Sequence, residues 1–595
     1  HLHAEWTVRC AEAGKHILCE KPLATNYAEA MVAVEAARRN GVFLMEAFMY
    51  RCHPQTRALA DRIREGAIGE VRVIQANFAF NMRGPRPENV RQQNPAAGGG
   101  IMDVGCYTAS MARLIAGAAV KGAPAEAEVV KGVGYINPAN RVDEWSSAVV
   151  RFPGDVVANL TCGIQVGIES TVKVWGSEGH IVVTNPWFPG DRESTKLLIY
   201  RDGQETPEEL AVEGEIPLYS IEADAVADAI AAGRQQATYP CMTWDDSLAN
   251  MRLLDAWREE IGLVFDNETS EGLQRPFAGR PLRREPDAPM RYGQVDGIEA
   301  PVSRIVMGSM VLRTGGIRLA CALLDDYFSA GGRCGDTAYV YGSEKPVGEW
   351  LRLRGVREDI ALIVKGAHTP YCTPEDLTRQ LHESLDNLQT DYADLYMMHR
   401  DDPQVPVGEF VDVMNEHLRA GRIKAFGGSN WAIERIEAAN AYAQEHGLVG
   451  FAASSPNFSL AEWNEPMWAG CVAAVDPASR AWYERTRMPL FAWSSQASGM
   501  FTGRFRPEDR DNPALAPVVR TWFNDANFRR LERVQELAAR RRIAPAEVSL
   551  AYVLCQPLNV YALIGPRALE ELRSSLGALE VSLSPDELRW LNLEG

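Results

Sequence analysis

The chain has 595 residues, 46% of them apolar and 24% charged, with a formal net charge of −18. That length exceeds one hydrophobic core and calls for about two to four domains. The acidic balance argues against a nucleic-acid or anionic-membrane surface, since both need a basic patch, and no apolar run reaches the ~18 residues of a membrane helix. The eleven cysteines are scattered, without C-x-x-C or metal-ligand spacing. They read as reduced core residues of a cytoplasmic protein with no metal site.

Residues 3–13 have helical spacing and stop at Gly14, a favourable C-cap. A short apolar strand at 16–19 then delivers Glu20-Lys21-Pro22 to its end, followed by a helix at 26–40 and a second buried strand at 42–45. This βαβ alternation predicts a parallel sheet, whose binding sites lie beyond the carboxyl ends of its strands, where Lys21 falls. At 71–80, and from 129 to about 200, the pattern changes to alternating strands separated by turns such as Pro153-Gly154-Asp155, predicting an open, mostly antiparallel sheet in an α+β domain. Between them a glycine-rich loop, Gly98-Gly99-Gly100, enters a helix that carries Asp103 and Tyr107 on one face. A carboxylate there is ordinarily a dipole-stabilising cap.

Taken together, Glu20-Lys21-Pro22, the stretch 46–54, the stretch 98–107 and Trp175-Gly176-Ser177-Glu178-Gly179 resemble the glucose–fructose oxidoreductase/inositol dehydrogenase (Gfo/Idh/MocA) family over residues 1 to about 265. The resemblance implies Glu20 and Lys21 at the nicotinamide end of a cofactor. It makes Tyr107 a proton donor or acceptor beside Asp103, with the Lys21 ammonium lowering the phenol pKa. The family's opening strand and phosphate loop, on the order of 70–80 residues, are missing before His1. The expectation is therefore a piece of a longer chain, or a half that holds no dinucleotide in the usual way.

Residues 266–300 are rich in Pro, Arg, Glu, Asp and Gly and read as an extended linker. From 301 onward come eight buried strand candidates, at 304–308, 333–337, 360–365, 393–398, 423–427, 450–454, 489–493 and 560–564. Helical segments follow most of them, which is the count and length of a (β/α)8 TIM barrel. Asp336, Tyr341, Lys365 and His399 all fall at carboxyl ends of these strands, where barrel chemistry sits. Singly, each has a structural explanation: a turn cap, a snorkelling lysine, a hydrogen bond to the Asp401-Asp402 loop. Four such coincidences in succession favour an acid–base constellation.

Asp336-Thr-Ala-x-x-Tyr341, Lys365, Asp394-Leu-Tyr-x-x-His399, Gly427-x-Ser429-Asn430 and Ile564-Gly565-Pro566-Arg567 resemble the aldo-keto reductases over about residues 300–592. The resemblance implies Tyr341 as general acid, Lys365 paired with Asp336, and His399 orienting a carbonyl. It places Ser429, Asn430 and Ser455 at the carboxamide, Trp493 against the nicotinamide ring, and Ser494, Gln496, Ser498, Gly565, Arg567 and Ser575 along the pyrophosphate and adenosine. Ser455 and Ser575 replace the family's usual glutamine and asparagine. Glu570 and Glu571 stand where NADPH users often carry a basic residue, which tips the expectation toward NAD(H) over NADP(H); Arg567 argues the other way.

The expected whole is an α/β chain: a truncated Rossmann-type parallel sheet (1–50), an open antiparallel-sheet domain (51–265), a linker (266–300) and a TIM barrel (301–595). The expected activity is bifunctional, NAD(P)-dependent and directed at carbohydrate-like polyols or carbonyls, with the two sites redox-coupled. The alternatives are a catalytic barrel carrying a binding or oligomerising N-terminal module, and a barrel without enzymatic activity. A homo-oligomer through the N-terminal sheet is also expected.

Overall fold

The computed structural model describes residues 1–190, 195–212 and 216–594. It divides into two compact units, His1–Arg280 and Pro281–Gly595. In the first, β1 (Ile17–Glu20) and β2 (Leu44–Ala47) pair in parallel with a helix, Tyr27–Arg39, between them. Asn26 caps that helix by accepting from the Glu29 amide, satisfying one of its open N–H groups. This is the expected βαβ element.

The rest of the unit is built on an eight-stranded sheet. Its strands are β3 (Val71–Ala79), β4 (Val129–Ile136), β5 (Asp143–Phe152), β6 (Val156–Gly163), β7 (Thr171–Gly176), β8 (Gly179–Val183), β9 (Lys196–Arg201) and β10 (Glu208–Ala211). The order is β10-β9-β8-β7-β3-β6-β5-β4, antiparallel except for the parallel pair β3–β6. Part of the stretch expected to hold strands up to about residue 200, residues 191–194, lies outside the described residues. Strand β5 alternates buried and exposed positions along its length, so one face is packed and the other open. The helix Cys106–Ala119 packs against β3; thirteen of its fourteen residues are buried, so it is a core helix enclosed on all sides. Beneath it Asp246 binds two buried guanidinium groups, Arg51 (at 2.5 Å) and Arg113.

In the second unit eight parallel strands close into a barrel: β13 (Ile305–Gly308), β14 (Cys334–Ala338), β15 (Ala361–Gly366), β16 (Ala393–Met398), β17 (Ile423–Ser429), β18 (Ala453–Ser455), β19 (Leu490–Ala492) and β20 (Val560–Ile564). All eight lie at or near the expected positions. The sixth is shorter and begins later than its apolar run. The interior is filled by Val306, Cys334, Ile363, Met397, Phe491 and Tyr561 among others, with the last two rings stacked at 4.6 Å. The barrel is therefore a packed core, with chemistry confined to its ends.

The stretch read as a linker is more structured than its composition indicates. It contains the short helical turn Asp266–Glu268 and a hairpin of β11 (Tyr292–Val295) and β12 (Ile298–Ser303), which leads directly into β13. Val295, Ile298 and Val302 join the barrel core, and Tyr561, near the start of β20, donates its hydroxyl to the Gln294 carbonyl at 3.0 Å. The hairpin thus covers the amino-terminal end of the barrel. A two-residue turn and three inward apolar side chains suffice for this, and charged neighbours hide so short a pattern.

Candidate active site

At the carboxyl end of the barrel, β14 ends two residues beyond Asp336 and turns through Tyr339–Tyr341 onto Gly342, which is left-handed at φ 69°. β15 carries Lys365 in register with Ala338, and His399 directly follows β16. The Lys365 ammonium donates to both Asp336 carboxylate oxygens, at 2.5 and 2.6 Å, and both side chains are buried. It also lies 5.2 Å from the centre of the Tyr341 ring, which meets the His399 imidazole edge-on at 5.6 Å. These four residues come together as the sequence predicts.

Their electrostatics follow from burial. Desolvation opposes charge on Lys365, but Asp336 and Tyr341 outweigh it, so the ammonium is held above its ordinary pKa. Burial pushes the Tyr341 phenol up; Lys365 pulls it back only in part, so its pKa stays above 10. The resemblance to the aldo-keto reductases implies that Lys365, paired with Asp336, lowers this phenol's pKa; the balance here leaves it raised. His399 lies well below its ordinary pKa, first through burial and then through the positive charges of Lys365 and Arg400, and it is neutral at pH 7. Its Nδ1 is buried and has no hydrogen-bond partner among the described residues.

In the N-terminal unit, Lys21 lies just beyond β1 and donates to the Asp103 carbonyl at 2.5 Å and to its carboxylate at 3.1 Å. The other carboxylate oxygen accepts from Arg91 Nε at 2.7 Å. Lys21 faces the Tyr107 ring, 5.1 Å from its centre, and no hydrogen bond joins it to the phenol. Tyr107 sits among Phe48, Tyr50, Phe78 and Trp187, and among the described residues its hydroxyl reaches only the Met49 sulfur, at 3.7 Å. Burial in this aromatic surround raises its pKa, and Lys21 is not among the principal influences on it. The three expected residues are together, but the ammonium serves Asp103 rather than the phenol.

Comparison with known proteins matches both halves. The aldo/keto reductase family matches residues 304–592, the GFO/IDH/MocA C-terminal domain residues 56–182, and the oxidoreductase family with an NAD-binding Rossmann fold residues 1–48. A trans-1,2-dihydrobenzene-1,2-diol dehydrogenase of Mus musculus is 32% identical over 273 residues, covering 45% of this chain and 76% of the relative. The chain joins a Gfo/Idh/MocA oxidoreductase to an aldo-keto reductase. The uncharacterized oxidoreductase YrpG of Bacillus subtilis is 28% identical over 326 residues, covering 51% of this chain and 95% of that one. The uncharacterized oxidoreductase ORF334 of Rhizobium meliloti is 34% identical over 200 residues, or 33% of this chain, and the chain spans 57% of its length.

The expected cofactor residues of the aldo-keto reductase barrel also lie at strand ends, but many have their polar groups engaged internally. Ser429 ends β17 and donates to the Ser455 carbonyl (3.1 Å), while the Ser455 hydroxyl donates to the Phe491 carbonyl (2.8 Å). Asn430 donates to Ser429 Oγ at 3.2 Å and accepts from Trp493 Nε1 at 3.2 Å, which fixes the indole immediately after β19. Ser494, Ala497, Ser498 and Gly499 all have positive φ, so the backbone curls tightly just after β19. Gln496 lies within this turn, half-buried, and Gly565 and Arg567 are exposed. The Ser575 hydroxyl donates to the Glu571 carbonyl at 2.9 Å, inside its own helix, and is not presented to a ligand.

The Gfo/Idh/MocA half brings Glu20 and Lys21 to the end of β1, in a parallel sheet that has two strands among the described residues. Sequence reasoning missed Arg91, Met49 and Arg400. Arg400 adjoins His399 in sequence and was legible there; the first two meet their partners only through the fold.

Proposed function

We propose that the barrel is an NAD(P)H-dependent reductase of small carbonyl compounds, of the sugar or polyol class, and that Tyr341 delivers the proton. Bound nicotinamide supplies the hydride. Charge then develops on the carbonyl oxygen, and a donor must meet it there. The observation that carries this reading is the buried Asp336–Lys365 pair beside a phenol held in its protonated form. A phenol keeps its proton near neutral pH and can give it to the oxygen on which charge develops. The neutral His399 orients the carbonyl without competing for the proton.

For the cofactor we favour NAD(H). The Glu571 carboxylate accepts from the Arg567 amide at 2.7 Å, and by the family resemblance this carboxylate stands at the adenosine end, where it would repel a 2′-phosphate. The ratio of kcat/KM with NADH and NADPH tests this. For the whole chain we propose a second hydride-transfer site around Lys21, Asp103 and Tyr107, coupled to the first through a shared nicotinamide pool. Cofactor absorbance at 340 nm and product analysis, with Lys21→Ala and Tyr341→Phe made separately, decide the matter. Full turnover of the same substrate by both variants ends the coupled scheme.

The second reading, a catalytic barrel with a binding or oligomerising N-terminal half, is favoured by the open sheet face, where Val133 is 80% exposed and Tyr135 and Trp145 stack at 4.5 Å in solvent. We propose that this face pairs two copies of the chain.

A further inference from the structure

Arg400 directly follows His399 and is 6% exposed. Its Nη1 folds back onto the His399 carbonyl at 2.9 Å, which also accepts from Asn430 Nδ2 at 3.4 Å, and its Nη2 contacts the Cys471 sulfur at 3.2 Å. Neither partner carries a negative charge. The carbonyl is neutral, and burial pushes the Cys471 thiol up, so the sulfur stays protonated near neutral pH. The next two carboxylates are engaged elsewhere: Asp401 binds Arg435 through two bonds of 2.8 Å, and Asp402 accepts from the Gln404 amide at 3.0 Å. Among the described residues no carboxylate lies within ion-pair distance of Arg400.

A guanidinium cannot shed its charge, and a buried charge is ordinarily paired. This one stands beside the imidazole that orients the carbonyl and near enough to Tyr341 to act on its phenol. Indoles gather nearby: Trp463 and Trp468 lie 6.0 and 5.9 Å from Trp493, which Asn430 ties to the same His399 carbonyl. A substrate entering here meets a proton donor and one uncompensated cation.

Building on the reductase reading above, we propose that Arg400 is a specificity-determining residue that selects carbonyl substrates bearing an anionic group, a carboxylate or phosphate, a few bonds from the carbonyl carbon. The anion completes an ion pair that the protein leaves open, and so fixes the carbonyl between Tyr341 and His399. Lysine in the same place would keep the charge but lose the forked geometry that suits a carboxylate.

The test compares matched substrates on the full chain: 4-oxobutanoate against butanal, and 4-carboxybenzaldehyde against benzaldehyde, with NADH and NADPH. The expected wild-type preference for the anionic member is roughly 10- to 100-fold in kcat/KM, the range of a hydrogen bond to a charged group. In Arg400→Leu this ratio falls to near one, and in Arg400→Lys it is intermediate. Equal wild-type efficiency on both members of each pair overturns the inference and leaves the reductase reading intact. So does a variant whose only change is in KM for the cofactor. Failure of the wild type to reduce any of the four overturns both.

Discussion

Lys365→Met removes the cation that Asp336 binds through two short hydrogen bonds, in a place where both side chains are almost fully buried. Breaking a buried pair from one side costs about 3–5 kcal/mol, because the remaining charge has neither partner nor water. For a unit of this size that lowers the barrel's unfolding midpoint by on the order of 5–10 °C. Asp336→Asn in the same background replaces the orphaned carboxylate by a neutral amide, and stability recovers most of the loss. Activity does not recover, because Tyr341 still lacks the ammonium that stabilises the developing phenolate; kcat stays roughly 100-fold or more below wild type. Calorimetry and single-turnover reduction on the four corners of this double-mutant cycle separate the two effects. A double variant that regains activity along with stability would refute the reasoning, since Lys365 would then be only Asp336's counter-ion.

Tyr341→Phe keeps the ring against His399 but removes the proton donor, and carbonyl reduction falls by roughly 100- to 10,000-fold with the unfolding midpoint little changed; a steady-state rate within tenfold of wild type is inconsistent with the role assigned. Asp143 is fully buried beneath the glycine loop and accepts from the Ile101 amide at 2.8 Å; burial raises its pKa to about 7. The folded state thus holds its proton more tightly than the unfolded chain does, and stability declines as pH rises from about 4 to about 7, by up to ~4 kcal/mol. Asp143→Asn keeps an acceptor for Ile101, flattens that slope and makes the first unit more stable above pH 7, as denaturant titrations at pH 5 and 8 will show. Asp246→Ala strands Arg51 and Arg113 in the core and costs about 3–5 kcal/mol, measured as a lower unfolding midpoint of the first unit. Val133→Glu with Trp145→Glu converts a dimer to a monomer in sedimentation velocity; an unchanged sedimentation coefficient removes the sheet face as the pairing surface.

The barrel was legible because its information is local. Each strand is a short apolar run, and the chemical residues sit near or just beyond the carboxyl ends of three of them, so position along the chain already fixes position at the mouth. The βαβ element before Lys21 could be read for the same reason. What escaped was set by contacts far apart in sequence. The surround of Tyr107 gathers Phe48, Phe78 and Trp187, and no spacing announces that burial there dominates the phenol's pKa. Lys21 was rightly placed near Asp103 and Tyr107, but which of them its ammonium serves depends on side-chain direction, which periodicity does not encode. The hairpin at Tyr292–Ser303 was lost because two four- to six-residue strands among charged and proline-rich neighbours carry almost no pattern.

That hairpin changes how the chain should be cut. The family match begins at residue 304, and a protein trimmed there would start at the first barrel strand. Val295, Ile298 and Val302 would go with the discarded piece, leaving the barrel's lower opening wet and its innermost side chains facing water. A separately expressed reductase should therefore begin near residue 281, where the two compact units divide. Any loss of solubility in a shorter version should be traced to the missing stopper before it is blamed on separation from the other half.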